Sequence, residues 1–140
     1  RQLPHKFSSN GPVVTAGDVN GDGLSDVIVG GTAPIAASVF VQQPNHLFKQ
    51  EPLHKNFIQQ TDDGDLVLFD ADKDGDLDLY ITSGSTELLK QSKGYADRFY
   101  TNDGKGNFSY DSLAVPVNYA SKSVVKNFDY DKDGDDDLFI

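Results

Sequence analysis

Asp70-Ala71-Asp72-Lys73-Asp74-Gly75-Asp76-Leu77-Asp78 places five carboxylates at alternate positions within nine residues. Like charges at this spacing repel, and within the stretch only Lys73 opposes them. A folded loop tolerates such crowding when a cation sits among the oxygens. The pattern occurs twice more. Asp18-Val19-Asn20-Gly21-Asp22-Gly23-Leu24-Ser25-Asp26 precedes it, and Asp129-Tyr130-Asp131-Lys132-Asp133-Gly134-Asp135-Asp136-Asp137 follows it. All three copies read D-x-[DN]-x-D-G-x-x-D, so the chain is a repeat, and the segments flanking each copy decide its fold.

Those flanks are short and apolar. Val13–Ala16 enters the first loop and Val27–Val29 leaves it, stopped by Gly30-Gly31. Ser38–Val41 and Leu47–Gln50 read as two further strands, with a turn at Pro44-Asn45. The order then repeats. Leu66–Phe69 and Leu79–Thr82 flank the second loop, and Arg98–Thr101 and Asn107–Tyr110 follow, joined by a hairpin turn at Asn102–Gly106. A weak helical turn is expected at Glu87–Lys90, and Asp62-Asp63-Gly64-Asp65 reads as a turn without an ion. In the third unit, Ser123–Phe128 and Leu138–Ile140 flank the loop. The loop-flanking runs are nearly all apolar rather than alternating, which predicts burial on both faces of a sheet.

Repeats of about four short strands each point to propeller blades or a β-solenoid, and the expectation taken is an all-β chain of β-propeller blades, four-stranded antiparallel repeats with calcium loops. Residues 1–11 form a lead-in. The repeat region spans 12–140, divided at about 12–63, 64–122 and a partial 123–140. Two and a half blades do not close a ring of four to eight, and Met is absent even at position 1, so a fragment of a larger propeller is expected, with further blades as partners.

Ca²⁺ takes six to eight oxygen ligands, and alternating residues in a tight loop aim successive side chains inward. The second loop offers side-chain oxygens from Asp70, Asp72, Asp74 and Asp78, and the backbone carbonyl of Asp76. The first offers Asp18, Asn20, Asp22 and Asp26 with the Leu24 carbonyl. The third offers Asp129, Asp131, Asp133 and Asp137 with the Asp135 carbonyl, and Asp136 is expected to face solvent. About three Ca²⁺ ions follow, one per loop. Mg²⁺ fits less well, because it demands a smaller octahedron. An EF-hand is excluded three times over: its twelfth residue is a bidentate Glu, and here that position holds Val29, Ile81 and Ile140.

The triple loop flanked by strands resembles the FG-GAP/VCBS repeats, the calcium-loop blades of integrin-α-type β-propellers. Asp97–Phe108 looks like the hairpin such repeats carry between loops. The combination is similar to bacterial VCBS-repeat proteins of the cartilage acidic protein type. Two departures stand out. The family's Phe-Gly and Gly-Ala-Pro signatures are echoed only by Gly31-Thr32-Ala33-Pro34, and Asn20 replaces an Asp, which lowers the charge of the first site.

Charge and composition narrow the function. The loops hold 14 aspartates against Lys73 and Lys132, more than the whole net charge of −10, so the acidity belongs to sites rather than to a diffuse surface. There is no basic patch for nucleic acid, no apolar run long enough to span a membrane, and no Cys for a disulfide or thiolate site. His5, His46 and His54 are scattered, Gly104-Lys105-Gly106 is a hairpin tip, and no nucleophile elbow or phosphate loop is present. Tyr80, Tyr95, Tyr100, Tyr110, Tyr119 and Tyr130 read mainly as packing residues. The expectation is a non-enzymatic calcium-binding module, extracellular, periplasmic or on the cell surface, that binds a protein or glycan ligand in adhesion. The resemblance also admits a propeller or accessory domain of a carbohydrate-active enzyme, a polysaccharide lyase or hydrolase.

Overall fold

The computed structural model describes residues 12–54, 57–85, 88–89 and 91–140, so the lead-in expected over residues 1–11 lies outside it. Ten strands follow in chain order: β1 (Val14–Gly17), β2 (Asp26–Val29), β3 (Ser38–Gln42), β4 (Phe48–Pro52), β5 (Asp63–Phe69), β6 (Asp78–Ser83), β7 (Arg98–Thr101), β8 (Ser109–Asp111), β9 (Lys126–Phe128) and β10 (Asp137–Phe139). They form two four-stranded antiparallel sheets, ordered β1-β2-β3-β4 and β5-β6-β7-β8, and a two-stranded sheet of β9 and β10. Each four-stranded sheet is a meander, the connectivity of a propeller blade. The fold is all-β, as the sequence predicts, and the sheets do not close into a ring among the described residues.

Every acidic loop joins the first and second strands of its sheet, and its ninth residue opens the second strand. The register closes each loop on that residue: Gly17 pairs with Asp26, Phe69 with Asp78, and Phe128 with Asp137. The three loops are therefore equivalent in the fold as well as in the sequence.

The middle sheet is covered on both faces. Leu66, Leu79, Ile81 and Tyr100 pack against Val19, Ile28 and Val39 of the first unit. Val67, Phe69, Tyr80 and Phe99 face the other way, against Val125 and Leu138 of the third. Successive residues of a strand point to opposite faces, so a strand buried on both sides is apolar without alternation. All of β6 is buried for this reason. The outermost strand of the first sheet, β4, is exposed along its length. The first strands of the sheets are neighbours, β1 beside β5 and β5 beside β9, as innermost strands around a propeller axis are.

Several expectations need correction. Asp62–Asp65 is no simple turn: Asp63–Phe69 is one strand with a register shift between Asp63 and Asp65, because Asp63 is buried beside Arg98. The connection between β7 and β8 runs from Asn102 to Phe108 and is longer than a tight hairpin, since Asn102 and Asp103 cap the backbone within it. The strand expected over Ser123–Phe128 is only Lys126–Phe128, and that at Leu47–Gln50 shifts to Phe48–Pro52. Glu87 and Lys90 of the helical turn expected at Glu87–Lys90 lie outside the described residues; a 3-10 turn forms at Lys93–Tyr95, capped by Ser92.

Candidate metal centres in three acidic loops

One hydrogen-bond pattern builds all three loops. The first aspartate accepts from the N–H of the sixth residue: Gly23 to Asp18 Oδ2 (2.8 Å), Gly75 to Asp70 Oδ2 (3.0 Å), Gly134 to Asp129 Oδ2 (3.1 Å). The third residue accepts from the fifth: Asp22 to Asn20 (3.0 Å), Asp74 to Asp72 (3.3 Å), Asp133 to Asp131 (3.2 Å). The fifth accepts from the seventh: Leu24 to Asp22 (2.8 Å), Asp76 to Asp74 (3.1 Å), Asp135 to Asp133 (2.9 Å). These are successive Asx turns, in which a short carboxylate or amide caps the backbone two residues on. They wind the chain into a tight loop about its alternate side chains.

Winding this tight needs left-handed backbone twice per loop. The sixth residue is glycine throughout, at φ of 82°, 94° and 90° for Gly23, Gly75 and Gly134. The fourth also has positive φ: Gly21 at 73°, Lys73 at 65° and Lys132 at 64°.

The ninth aspartate has a different task. Its Oδ2 accepts from the second residue of the loop, Val19 to Asp26 (3.1 Å), Ala71 to Asp78 (3.1 Å) and Tyr130 to Asp137 (2.9 Å). In the two larger sheets its Oδ1 also accepts from the end of the third strand, Gln42 to Asp26 (2.8 Å) and Asn102 to Asp78 (2.9 Å). Asp26 and Asp78 are 0% and 1% exposed. They latch the loop to the sheet, and each oxygen keeps a further lone pair.

Among the described residues, Asp70, Asp72 and Asp74 each bring one oxygen within 4.8 Å of the others, and so do Asp129, Asp131 and Asp137. The first loop forms no such group of three carboxylates; its third position is the amide of Asn20. Its charges are well served by backbone instead. Burial pushes the Asp18 carboxyl up, but the N–H groups of Gly23, Gly21, Asp22 and Asn20 outweigh it and hold the group below the ordinary range. The second loop is the reverse case. Burial pushes Asp76 up to about 6, helped by a hydrogen bond with Asp74 and the charges of Asp74, Asp78 and Asp72. Burial also raises Asp78, against the N–H groups of Asn102 and Ala71. Oδ1 of Asp70 and Oδ1 of Asp76 are buried without a hydrogen-bond partner among the described residues. An uncompensated buried carboxylate oxygen is costly, and a hard cation accepts such donors. The donor set of the second loop fits one.

Of the remaining expected ligands, Asp22 and Asp133 lie in their Asx turns, and Asp135 meets Lys73 of the second loop in an ion pair. Asp136 is exposed and accepts from Asn127 (2.6 Å). His54 is a packing residue, stacked on Phe57 (5.1 Å between centroids) and beside Tyr100 and Tyr110.

Three polar groups of the sheets escape a reading of the sequence. Asn102 reaches Val19 of the first loop and Leu77 of the second. Asp63 is buried with Arg98 and Gln59. Asp97 accepts from Tyr80, Ser83 and Lys122. Only the place of Asn102 just before the turn glycines Gly104 and Gly106 gave a local signal; the charged partners of the other two, Arg98 and Lys122, are distant in the chain.

Residues 18–81, the span of the first two loops, match the family model of the FG-GAP-like repeat. Comparison with curated proteins finds no match, and comparison with solved structures finds none. Among the described residues, no helix is long and apolar enough to cross a membrane.

Proposed function

We propose, from the match of residues 18–81 to the FG-GAP-like repeat, that the chain is a calcium-binding propeller module that presents a rigid surface to a protein or glycan ligand. The observation that carries this is the second loop. Three of its aspartates converge within 4.8 Å, and two of its buried oxygens lack a hydrogen-bond partner among the described residues. Asp70, Asp72, Asp74 and Asp78, with the Asp76 carbonyl, would hold the ion there. Asp18, Asn20, Asp22 and Asp26 with Leu24, and Asp129, Asp131, Asp133 and Asp137 with Asp135, would do so in the other loops. Bound Ca²⁺ supplies positive charge that offsets the crowded carboxylates and braces the two strands of each loop. The chain's part is to pre-wind the loop by its Asx turns and to latch it to the sheet through the ninth aspartate.

Extracellular calcium modules work at Kd values of about 10⁻⁴–10⁻³ M, and loops this open to solvent suit that range, so the module acts outside the cytoplasm. The outer face of the third sheet supports a further blade: Leu138 faces inward, whereas Phe128 and Phe139, on the opposite face, are exposed. Binding rather than catalysis is proposed, since the converging groups are carboxylates engaged with backbone.

Calcium titration by calorimetry, with thermal unfolding in calcium and in chelator, tests this. With free Ca²⁺ at 100 times Kd, each site adds ~2.7 kcal/mol of apparent stability, so chelator lowers the melting temperature by several degrees. Because Asn20 lowers the charge of the first loop, the second binds more tightly. An unchanged melting temperature and no binding heat would sink the reading.

A further inference from the structure

We infer that Asn102 is a positioning residue that couples the first and second loops, so that an ion in one raises the affinity of the other. This rests on the calcium reading above and goes beyond it by joining two sites into one unit.

The amide of Asn102 spends its full hydrogen-bonding capacity between the loops. Its Nδ2 donates to the carbonyl of Val19 (2.8 Å) and to that of Leu77 (3.2 Å). Its Oδ1 accepts from Asp103 N–H (2.9 Å) and Gly106 N–H (3.2 Å), which folds the connection back on itself. Its own N–H donates to Asp78 Oδ1 (2.9 Å). Val19 is the second residue of the first loop, and its N–H is the one held by Asp26 (3.1 Å). Leu77 and Asp78 are the eighth and ninth of the second. One side chain, 9% exposed, therefore fixes the entrance of one loop and the exit of the next.

The backbone beyond Asn102 lies in the same gap. A Cβ at Gly104 would stand 3.0 Å from Asp76 Oδ2, and one at Gly106 would stand 3.6 Å from Asn20 Cβ. Both glycines have left-handed backbone, φ 67° and 79°. The segment thus touches both loops with main chain, and a shift of either loop moves it. Ordering one loop fixes Asn102, and the second ion then meets a loop whose exit is already held. That is coupling through shared order.

The test is calcium titration by calorimetry on this chain carrying Asp129→Ala to silence the third loop. Adding Asp18→Ala and Asp22→Ala disables the first loop, and the remaining heat reports the second. The expected result is that the second loop's affinity falls about fivefold or more, the lower end of ordinary coupling. With Asn102→Ala also present, disabling the first loop changes that affinity less than about twofold. A merely structural Asn102 would lower affinity in both backgrounds and leave their ratio unchanged. Should Asn102→Ala fail to fold by circular dichroism, Asn102→Ser keeps an oxygen for the local turn but is too short to span both carbonyls. An unchanged second-loop affinity when the first is disabled overturns the coupling, whatever the Asn102 variants do. Coupling that persists without Asn102 overturns its assignment to this residue. Absence of any calcium binding removes the calcium reading itself and the coupling with it.

Discussion

Lys73 and Lys132 occupy the fourth position of their loops with φ of 65° and 64°, where the first loop has Gly21 at 73°. Left-handed backbone costs a residue with a Cβ about 1–2 kcal/mol. The sixth position shows this cost in isolation. Gly75 has φ of 94° and nothing within 4 Å of an added Cβ, so Gly75→Ala meets no clash and loses only backbone energy. Urea unfolding should show it destabilised by about 1–2 kcal/mol; an unchanged midpoint would mean the loop adapts its winding. At this scale the sequence is legible where the residue type advertises the conformation. Gly23, Gly75 and Gly134 announce the sharp turn, and the alternating aspartates announce convergence. The positive φ of Lys73 and Lys132 is hidden, because lysine has no preference for it. The second task of Asp26 and Asp78 is hidden too, since a carboxylate that caps a strand reads the same as one that holds an ion.

Among the elements, β5 and β7 carry a buried ion pair, Asp63 with Arg98, joined by Gln59 Nε2 (2.8 Å) and the Gly31 N–H (2.6 Å). Burial pushes the Asp63 carboxyl up, opposed by the charge of Arg98 and the Gly31 N–H. Removing one partner of such a pair costs about 3–5 kcal/mol, because the other charge is stranded. Arg98→Met should lose that much at pH 7.5. An acid whose folded pKa is raised binds its proton more tightly when folded, so its unfavourable contribution grows as pH rises above the unfolded value and vanishes below it. Arg98→Met removes the chief opposing charge, so its deficit relative to the parent chain should shrink as pH falls towards 4.5. Equal deficits at both pH values would show that Asp63 is not the stranded group. The strands themselves were readable: unbroken apolar runs at Leu66–Phe69 and Leu79–Thr82 become β5 and β6, covered on two sides. Asp62–Asp65 misled because Asp and Gly favour turns, and the partner that holds Asp63 in a strand lies 35 residues away.

For the molecule as a whole, the sheets are stapled at two levels. Apolar faces interlock between them, and near the loops Asn102 spans the first gap while Lys73 reaches Asp135 across the second. Repeat number and blade connectivity follow from the spacing of the loops and strands. The joints between blades do not, because they depend on residues far apart in the chain that share no motif. Phe128 (46% exposed) and Phe139 (67% exposed) form the uncovered face of the third sheet. Exposed aromatics on one face favour association. Sedimentation should therefore detect self-association of this chain, reduced in a Phe128→Ser, Phe139→Ser variant; identical profiles would count against a sticky third face.

The buried latch of the ninth aspartate divides each loop into two zones of different persistence. Deuterium uptake in chelator should reveal them. The amides of Ala71 and Gln42, held by Asp78 and Asp26 at the base of the loop and away from the Asn102 junction, would exchange slowly whether or not an ion is present. Those of Gly23 and Gly75, held only at the exposed rim, would lose their protection. Emptying a loop would then loosen its crown and spare its root, and calcium could come and go without the blade being rebuilt each time.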